Sequence, residues 1–259
     1  MRFTKIAGVV FLVLVLLVGV SAAQDRVKPR TFTLSLGGGY HMSNLAVDYE
    51  KSWIYYDEYA TFIEVLDKVS SVSFGGTLGY FVTPNIEVFA GGFLTRTSSQ
   101  NGLFGFEVPS IYYYNELAYD ELAEARCFSQ TDLMFGVKYH FAPMAKFDFY
   151  LGAGGVYSMA KIELTSDFWF YDYYDEYLYH SIEVFDPVYT ETKASAFGGF
   201  ALGGVEYAVS PMISIFAEGA YKFAKKSVVH PFSEWFEDID EISLDLGGIA
   251  LMGGLKFNF

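Results

Sequence analysis

The 259-residue chain is 52% apolar and 19% aromatic, yet beyond Val20 no apolar run reaches the length a membrane-spanning helix needs. Its net charge of −14 argues against nucleic acid or an anionic membrane surface as a partner. Its single cysteine, Cys127, excludes an internal disulfide framework.

The apolar run Ile6–Val20 follows Arg2 and Lys5 and ends at Ser21-Ala22-Ala23, with small residues at −1 and −3 of a cut after Ala23. This pattern predicts a cleaved signal peptide over residues 1–23 and a single exported domain over 24–259. No cysteine follows the run, so a lipoprotein signal is not expected. Losing Arg2 and Lys5 lowers the net charge from −14 to −16.

From Arg30 onward, strands with two-residue alternation follow one another. Eight are expected: Thr31–Met42, Ser70–Val82, Ile86–Thr97, Ser129–Phe141, Phe147–Met159, Ser195–Val209, Ile213–Phe223 and about Ser243–Phe259. One parity is apolar and aromatic throughout, as in Val72, Phe74, Leu78 and Tyr80, or Leu133, Phe135 and Val137. The other parity is polar. Short turns containing Pro84, Pro143 and Pro211 alternate with long connections, since proline fixes a turn and cannot donate to a strand ladder. Paired glycines recur inside the strands, where they permit sharp coiling and make room in a narrow interior.

The polar parity collects Glu87, Asp132, Lys138, His140, Asp148, Glu206, Glu218, Lys222 and Lys256. In a closed eight-stranded barrel these charges fill the interior, and such charges need partners to offset desolvation. A polar, salt-bridged lumen is the first reading of this set and a proton or ion path is the second.

The four long connections, about Ser43–Val69, Ser98–Phe128, Ala160–Ala194 and Ala224–Ile242, hold 24 of the 31 Asp and Glu and 7 of the 17 Lys and Arg. Their net charge is therefore −17 and that of the remaining chain is +3. They are also rich in aromatics, with Trp53, Tyr113, Trp169, Tyr171 and Trp235 the candidates for a loop surface. Two readings stand side by side: the aromatics pack together and the strands continue above the membrane as a rigid sheet, or the aromatics present an adhesive surface. Asn115–Ala125 reads as a short helix with Asn115 as its N-cap.

His41, His140, His180 and His230 show no metal-ligand spacing, so neither a metal nor a cofactor is expected. His41-Met42-Ser43 resembles the His-x-Ser element of outer-membrane lipid A deacylases, but its parity points into the lumen and no acid completes it.

The chain closes on Leu255-Lys256-Phe257-Asn258-Phe259. With the hairpins, Gly-Val-Glu-Tyr at Gly204–Tyr207 and Phe-Ala-Glu-Gly-Ala-Tyr at Phe216–Tyr221, it resembles the small OmpA/OmpX/OmpW-type outer-membrane barrels. That resemblance implies an all-β, eight-stranded antiparallel transmembrane barrel with long extracellular loops. It implies an outer-membrane location, lipid and lipopolysaccharide as surroundings, and the barrel-assembly machinery as the reader of Leu255, Phe257 and Phe259. A monomer is expected, with a structural or surface-interaction role, an extracellular ligand bound through the loops, and no enzymatic activity. A narrow pore or passage for small apolar molecules is the alternative, and a lipid-modifying enzyme the third reading.

Overall fold

The computed structural model describes residues 32–55, 58–109, 117–142, 144, 146–174, 180–235 and 240–259. The expected signal peptide lies outside them. Twelve strands run in chain order: β1 (Phe32–Ser43), β2 (Val47–Tyr55), β3 (Glu58–Leu66), β4 (Ser70–Thr83), β5 (Ile86–Pro109), β6 (Leu117–His140), β7 (Phe147–Tyr174), β8 (His180–Ala208), β9 (Ile213–Phe223), β10 (Lys225–Val229), β11 (Glu241–Asp245) and β12 (Gly248–Asn258).

Eight of them close a ring in the order β1-β4-β5-β6-β7-β8-β9-β12, every neighbour antiparallel, with β12 returning to β1. Alternation decides which side faces out. Leu36, Val72, Phe74, Leu78, Phe135, Leu151, Phe197, Ile215 and Leu251 are exposed on the outer wall, where hydrocarbon takes the place of water. Thr33, Ser35, Thr77, Asp132, Lys138 and Lys256 are buried inside. Closure leaves no strand edge in the apolar band, which lipid would penalise by several kcal/mol per unpaired group.

Paired glycines serve this narrow ring at close approaches. A Cβ on Gly254 would clash with the Leu36 carbonyl oxygen and lie 2.6 Å from Gly37 Cα, whereas one on Gly253 would meet nothing nearer than the Phe216 oxygen at 3.4 Å. Gly248 has φ +143°, a conformation L side chains rarely adopt, at the step from β11 into β12. At the short-turn end, Thr83 Oγ accepts the amides of Asn85 and Ile86, and Ser210 Oγ accepts those of Met212 and Ile213.

The long connections follow the reading in which the strands continue above the membrane. β5 with β6 and β7 with β8 continue far beyond the apolar band as paired extensions, from Gln100↔Arg126 to Pro109↔Leu117 and from Ala160↔Ala194 to Tyr174↔His180. The first connection is a β2–β3 hairpin whose β3 joins the upper part of β5, and the last contains the β10–β11 hairpin and a 3₁₀ turn, Pro231–Trp235. The helix expected from Asn115 is corrected: residues 117–125 are strand, and Asn115 and Glu116 lie outside the described residues. Helix propensity there is overridden by cross-strand pairing, with Ala118 turned into a core opposite Val108.

These extensions enclose an apolar core outside the lipid band, the head. Phe62, Phe104, Phe106, Phe128, Ile162, Leu164, Phe232 and Leu244 are among its buried members. Phe62 stacks on Phe232 at 4.2 Å and on Phe168 at 5.7 Å, and Phe106 meets Phe170 at 4.8 Å.

Gly254→Ala should lose the folded barrel while Gly253→Ala keeps it. Electrophoretic heat-modifiability of refolded protein reads the difference, and equal behaviour of the two would contradict the close approach described.

Candidate functional site

Two polar clusters are built into this frame, one in the lumen and one in the head. In the lumen, β5, β6, β7, β8, β9 and β12 each point a charge inward. Lys256 on β12 donates to Glu87 on β5 at 3.1 Å and to Glu206 on β8 at 2.6 Å. His140 on β6 places Nε2 at 2.9 Å from Glu87 and Nδ1 at 3.2 Å from Asp148. Thr33 on β1 donates to the same Glu87. Higher up, Lys138 and the Tyr150 hydroxyl both donate to Glu218, at 2.7 and 2.9 Å. Higher still, Asp132 accepts from Lys222, from Ser158 at 2.6 Å and from Gln130 at 2.8 Å.

All nine lumen residues named from the sequence lie in this interior, bonded to each other or to Thr33, Tyr150, Gln130 and Ser158. Aromatic and thioether side chains fill the space between the layers, with Phe89, Phe200, Met134 and Tyr150 buried and Met252 packed beside them. The gap left between Lys138, Tyr150, Glu206, Glu218 and Lys256 measures about 10 Å³, close to the room one water needs.

Glu87, His140 and Glu206 present ligand atoms within 4.8 Å of one another, a spacing that could hold a metal ion. The Lys256 ammonium already stands between the two glutamates, so the cation of this cluster is a lysine. His41 and Ser43, the His-x-Ser pair, are both buried inside and separately engaged. His41 Nδ1 lies 3.4 Å from Thr95 Oγ, and Ser43 Oγ accepts the Leu45 amide at 3.1 Å.

The second cluster was not singled out from sequence. Glu64 on β3 is fully buried in the apolar head. Its carboxylate accepts the Thr165 amide at 3.0 Å, the Thr165 hydroxyl at 2.7 Å and His230 Nε2 at 2.7 Å, with Arg126 Nη2 at 3.8 Å. The Phe232 amide points at His230 Nδ1, so Nε2 carries the hydrogen given to Glu64. Tyr49 stacks on the His230 ring at 3.8 Å, and the Arg126 guanidinium lies over Tyr189 at 3.4 Å. Burial and the hydrogen bond it gives Glu124 raise the Tyr189 hydroxyl above its ordinary pKa. One carboxylate thus ties together all four long connections. A signal for it was present: Glu64 shares parity with Phe62 and Leu66, and Arg126 with Phe128, charges set on apolar faces.

The aromatic surface residues separate. Trp169 and Tyr171 are exposed, and Tyr171 stacks on Phe185 at 4.7 Å. Trp53 is half-buried and stacks on Phe106 at 5.4 Å, so it belongs to the head core. Tyr113 and the side chain of Trp235 lie outside the described residues. Leu255 and Phe259 are exposed on the outer wall, and the Phe259 amide donates to the Phe32 oxygen at 2.9 Å, closing β12 onto β1.

No protein-family model matches the sequence, and no curated protein does. Among solved structures the chain is similar to Neisserial surface protein A, at 14% identity and TM-score 0.49 over 88% of this chain and 97% of that one. It is similar to the outer membrane protein OprG from Pseudomonas aeruginosa, at 12% and 0.48 over 91% and 99%. It is also similar to the outer membrane protease OmpT from Escherichia coli, at 13% and 0.49 over 92% and 100%. The ring itself is a closed eight-stranded antiparallel β-barrel with an apolar outer wall and a polar interior. At TM-scores below 0.5 these likenesses carry no argument about role, and the chemistry is read from the residues.

Lys256→Ala would remove the ammonium that separates the buried Glu87 and Glu206 carboxylates and should destabilise the barrel by about 3 kcal/mol or more. Ile215→Leu on the outer wall should cost less than about 1.5 kcal/mol. Urea unfolding from lipid vesicles measures both. Glu64→Ala should make the head sensitive to protease while the barrel stays heat-modifiable. A protease-resistant head in that variant would remove the role given to Glu64.

Proposed function

We propose that this chain is a bacterial outer-membrane surface protein that works by holding a rigid head above a sealed barrel, where the head meets an extracellular partner. The observation that carries the reading is the continuous aromatic core of the head, built on the same strands that form the barrel wall. A core of this kind fixes the position of Trp169, Tyr171 and the acidic edge strands relative to the membrane. The head holds most of the acidic residues, and the outer wall below it is apolar. This asymmetry favours an orientation with the head outside and the short turns in the periplasm.

The filled lumen supports a structural interior over a pore. Lys138, Glu218 and Tyr150 meet across its middle, and the head core lies over its upper end. The non-enzymatic reading rests on the burial and separate engagement of His41 and Ser43. Lipid and lipopolysaccharide would surround the apolar band.

Two measurements test the proposal. A membrane-impermeant maleimide should label Tyr171→Cys on intact cells in a Cys127→Ser background, and absence of labelling would reverse the orientation. In planar bilayers the parent chain should give no discrete conductance steps, and regular steps would favour the pore.

A further inference from the structure

Above the lipid band, the seam between β1 and β12 opens. Ser43 pairs with Gly248, and the Asn44 amide donates to the Gly247 oxygen at 3.0 Å. The two chains then continue as β2 and β11. The offset that sets Ser43 opposite Gly248 also sets Lys51 opposite Asp240, and these two are joined by a 2.8 Å ion pair. Between the two fastenings no ladder forms. β2 pairs with β3 alone and β11 with β10 alone, so each keeps one open edge toward the other. The cleft between residues 46–50 and residues 240–244 has a volume of about 410 Å³.

We infer that this cleft receives an extended, cationic peptide strand, which hydrogen-bonds to β2 on one side and β11 on the other. Two facing open edges offer such a strand a ladder on both flanks, whereas a single edge offers one. The rims carry the charge. Asp48, Glu50 and Glu241 are exposed, and Asp240 joins them at the upper end. The cation on the walls, Lys51, is engaged with Asp240. An incoming strand with Lys or Arg on its outward parity meets these carboxylates. Its inward parity faces Val47, Tyr49, Ile242 and Leu244, whose side chains enter the head core, so alternate apolar residues fit there. The upper fastening is the part that must yield. It consists of the Lys51–Asp240 pair and the Tyr49 hydroxyl, 3.3 Å from Asp240, both on the inward parity of β2. Burial and then Asp240 raise the Tyr49 hydroxyl above its ordinary pKa, so it stays a donor at neutral pH.

This inference rests on the reading of the head as a binding platform, and its test is independent of orientation and conductance. The probe is a fluorescent decapeptide alternating Lys and Val, added to the purified full chain in detergent micelles and followed by anisotropy. The parent chain should bind it. The same peptide with alternate backbone amides N-methylated keeps its charge and should bind at least tenfold more weakly. Counting on from the Ser43↔Gly248 pair sets Asp48 level with Ser243, both with exposed side chains. An oxidised Asp48→Cys/Ser243→Cys variant in a Cys127→Ser background should therefore lose binding and regain it on reduction. Should that disulfide not form, Asp48→Lys/Glu50→Lys provides the second arm, with an expected loss of tenfold or more. Equal binding of the methylated peptide would reduce the effect to charge and overturn the inference. Absence of binding by the parent would overturn it too, while leaving the sealed-barrel reading to its own measurements.

Discussion

Everything in this molecule depends on the closing of the ring. A sheet in hydrocarbon cannot leave an edge, because each unpaired amide or carbonyl there has no water to turn to. The β1–β12 ladder, from Thr33↔Asn258 to Ser43↔Gly248, satisfies the last row of these groups. With eight strands the ring is so narrow that its interior becomes a packed core. The glycine pairs, the filled middle layer and the charge pairs are all consequences of that small radius.

The barrel and the head solve the same burial problem with opposite chemistry. Outside the ring lies lipid, so apolar residues go outward and the lumen receives what remains, including Lys138, Lys222 and Lys256 with their carboxylates. Around the head the surroundings are aqueous, so the parity inverts its meaning: Phe62, Phe104 and Ile162 turn inward, while Asp48, Glu50 and Lys161 turn out. The inward side of β6 passes from Asp132 to Phe128 within a few residues. That passage marks the height at which the polar lumen gives way to the apolar head core. Glu64 and Arg126 are exceptions in the head, charges kept where apolar packing would be cheaper, and the bonds of Glu64 to Thr165, His230 and Arg126 hold four separate connections in one arrangement.

Alternation made much of this legible in the sequence. It separated Phe74 and Leu78 from Ser73 and Thr77, and it named the charges that meet inside the ring, because a period of two carries through each strand from end to end. Partners were beyond its reach. Nothing in the spacing of Lys256 and Glu206 says that β12 and β8 bring them to 2.6 Å across a lumen. Continuation of the strands into the long connections was one of two readings, and its extent was not legible because bulges interrupt the two-residue pattern. The segment Leu117–Ala125 carries good helix formers, and only pairing with β5 decides against them. Glu64 and Arg126 were visible as charges on apolar faces, but a face has to be known as buried before a charge on it becomes informative.

The two irregularities in the β7–β8 ladder, between Thr165 and Asp167 and between Asp167 and Trp169, bear on how such a head can change over generations. In a two-sided sheet an insertion of one residue exchanges inside for outside along everything that follows. One added residue before Lys161 would bring Lys161 and Glu163 into the core in place of Ile162 and Leu164. The bulges are where an odd step is absorbed: Leu164 and Thr165, adjacent in sequence, are both buried at the first, and Asp186, between Val188 and Phe185 at the second, takes a positive φ of 49°. Lengthening or shortening of this hairpin is therefore confined to even steps, or to odd steps at Thr165–Trp169. The tip of the molecule can be remodelled from one lineage to another without disturbing a single pair in the ring below.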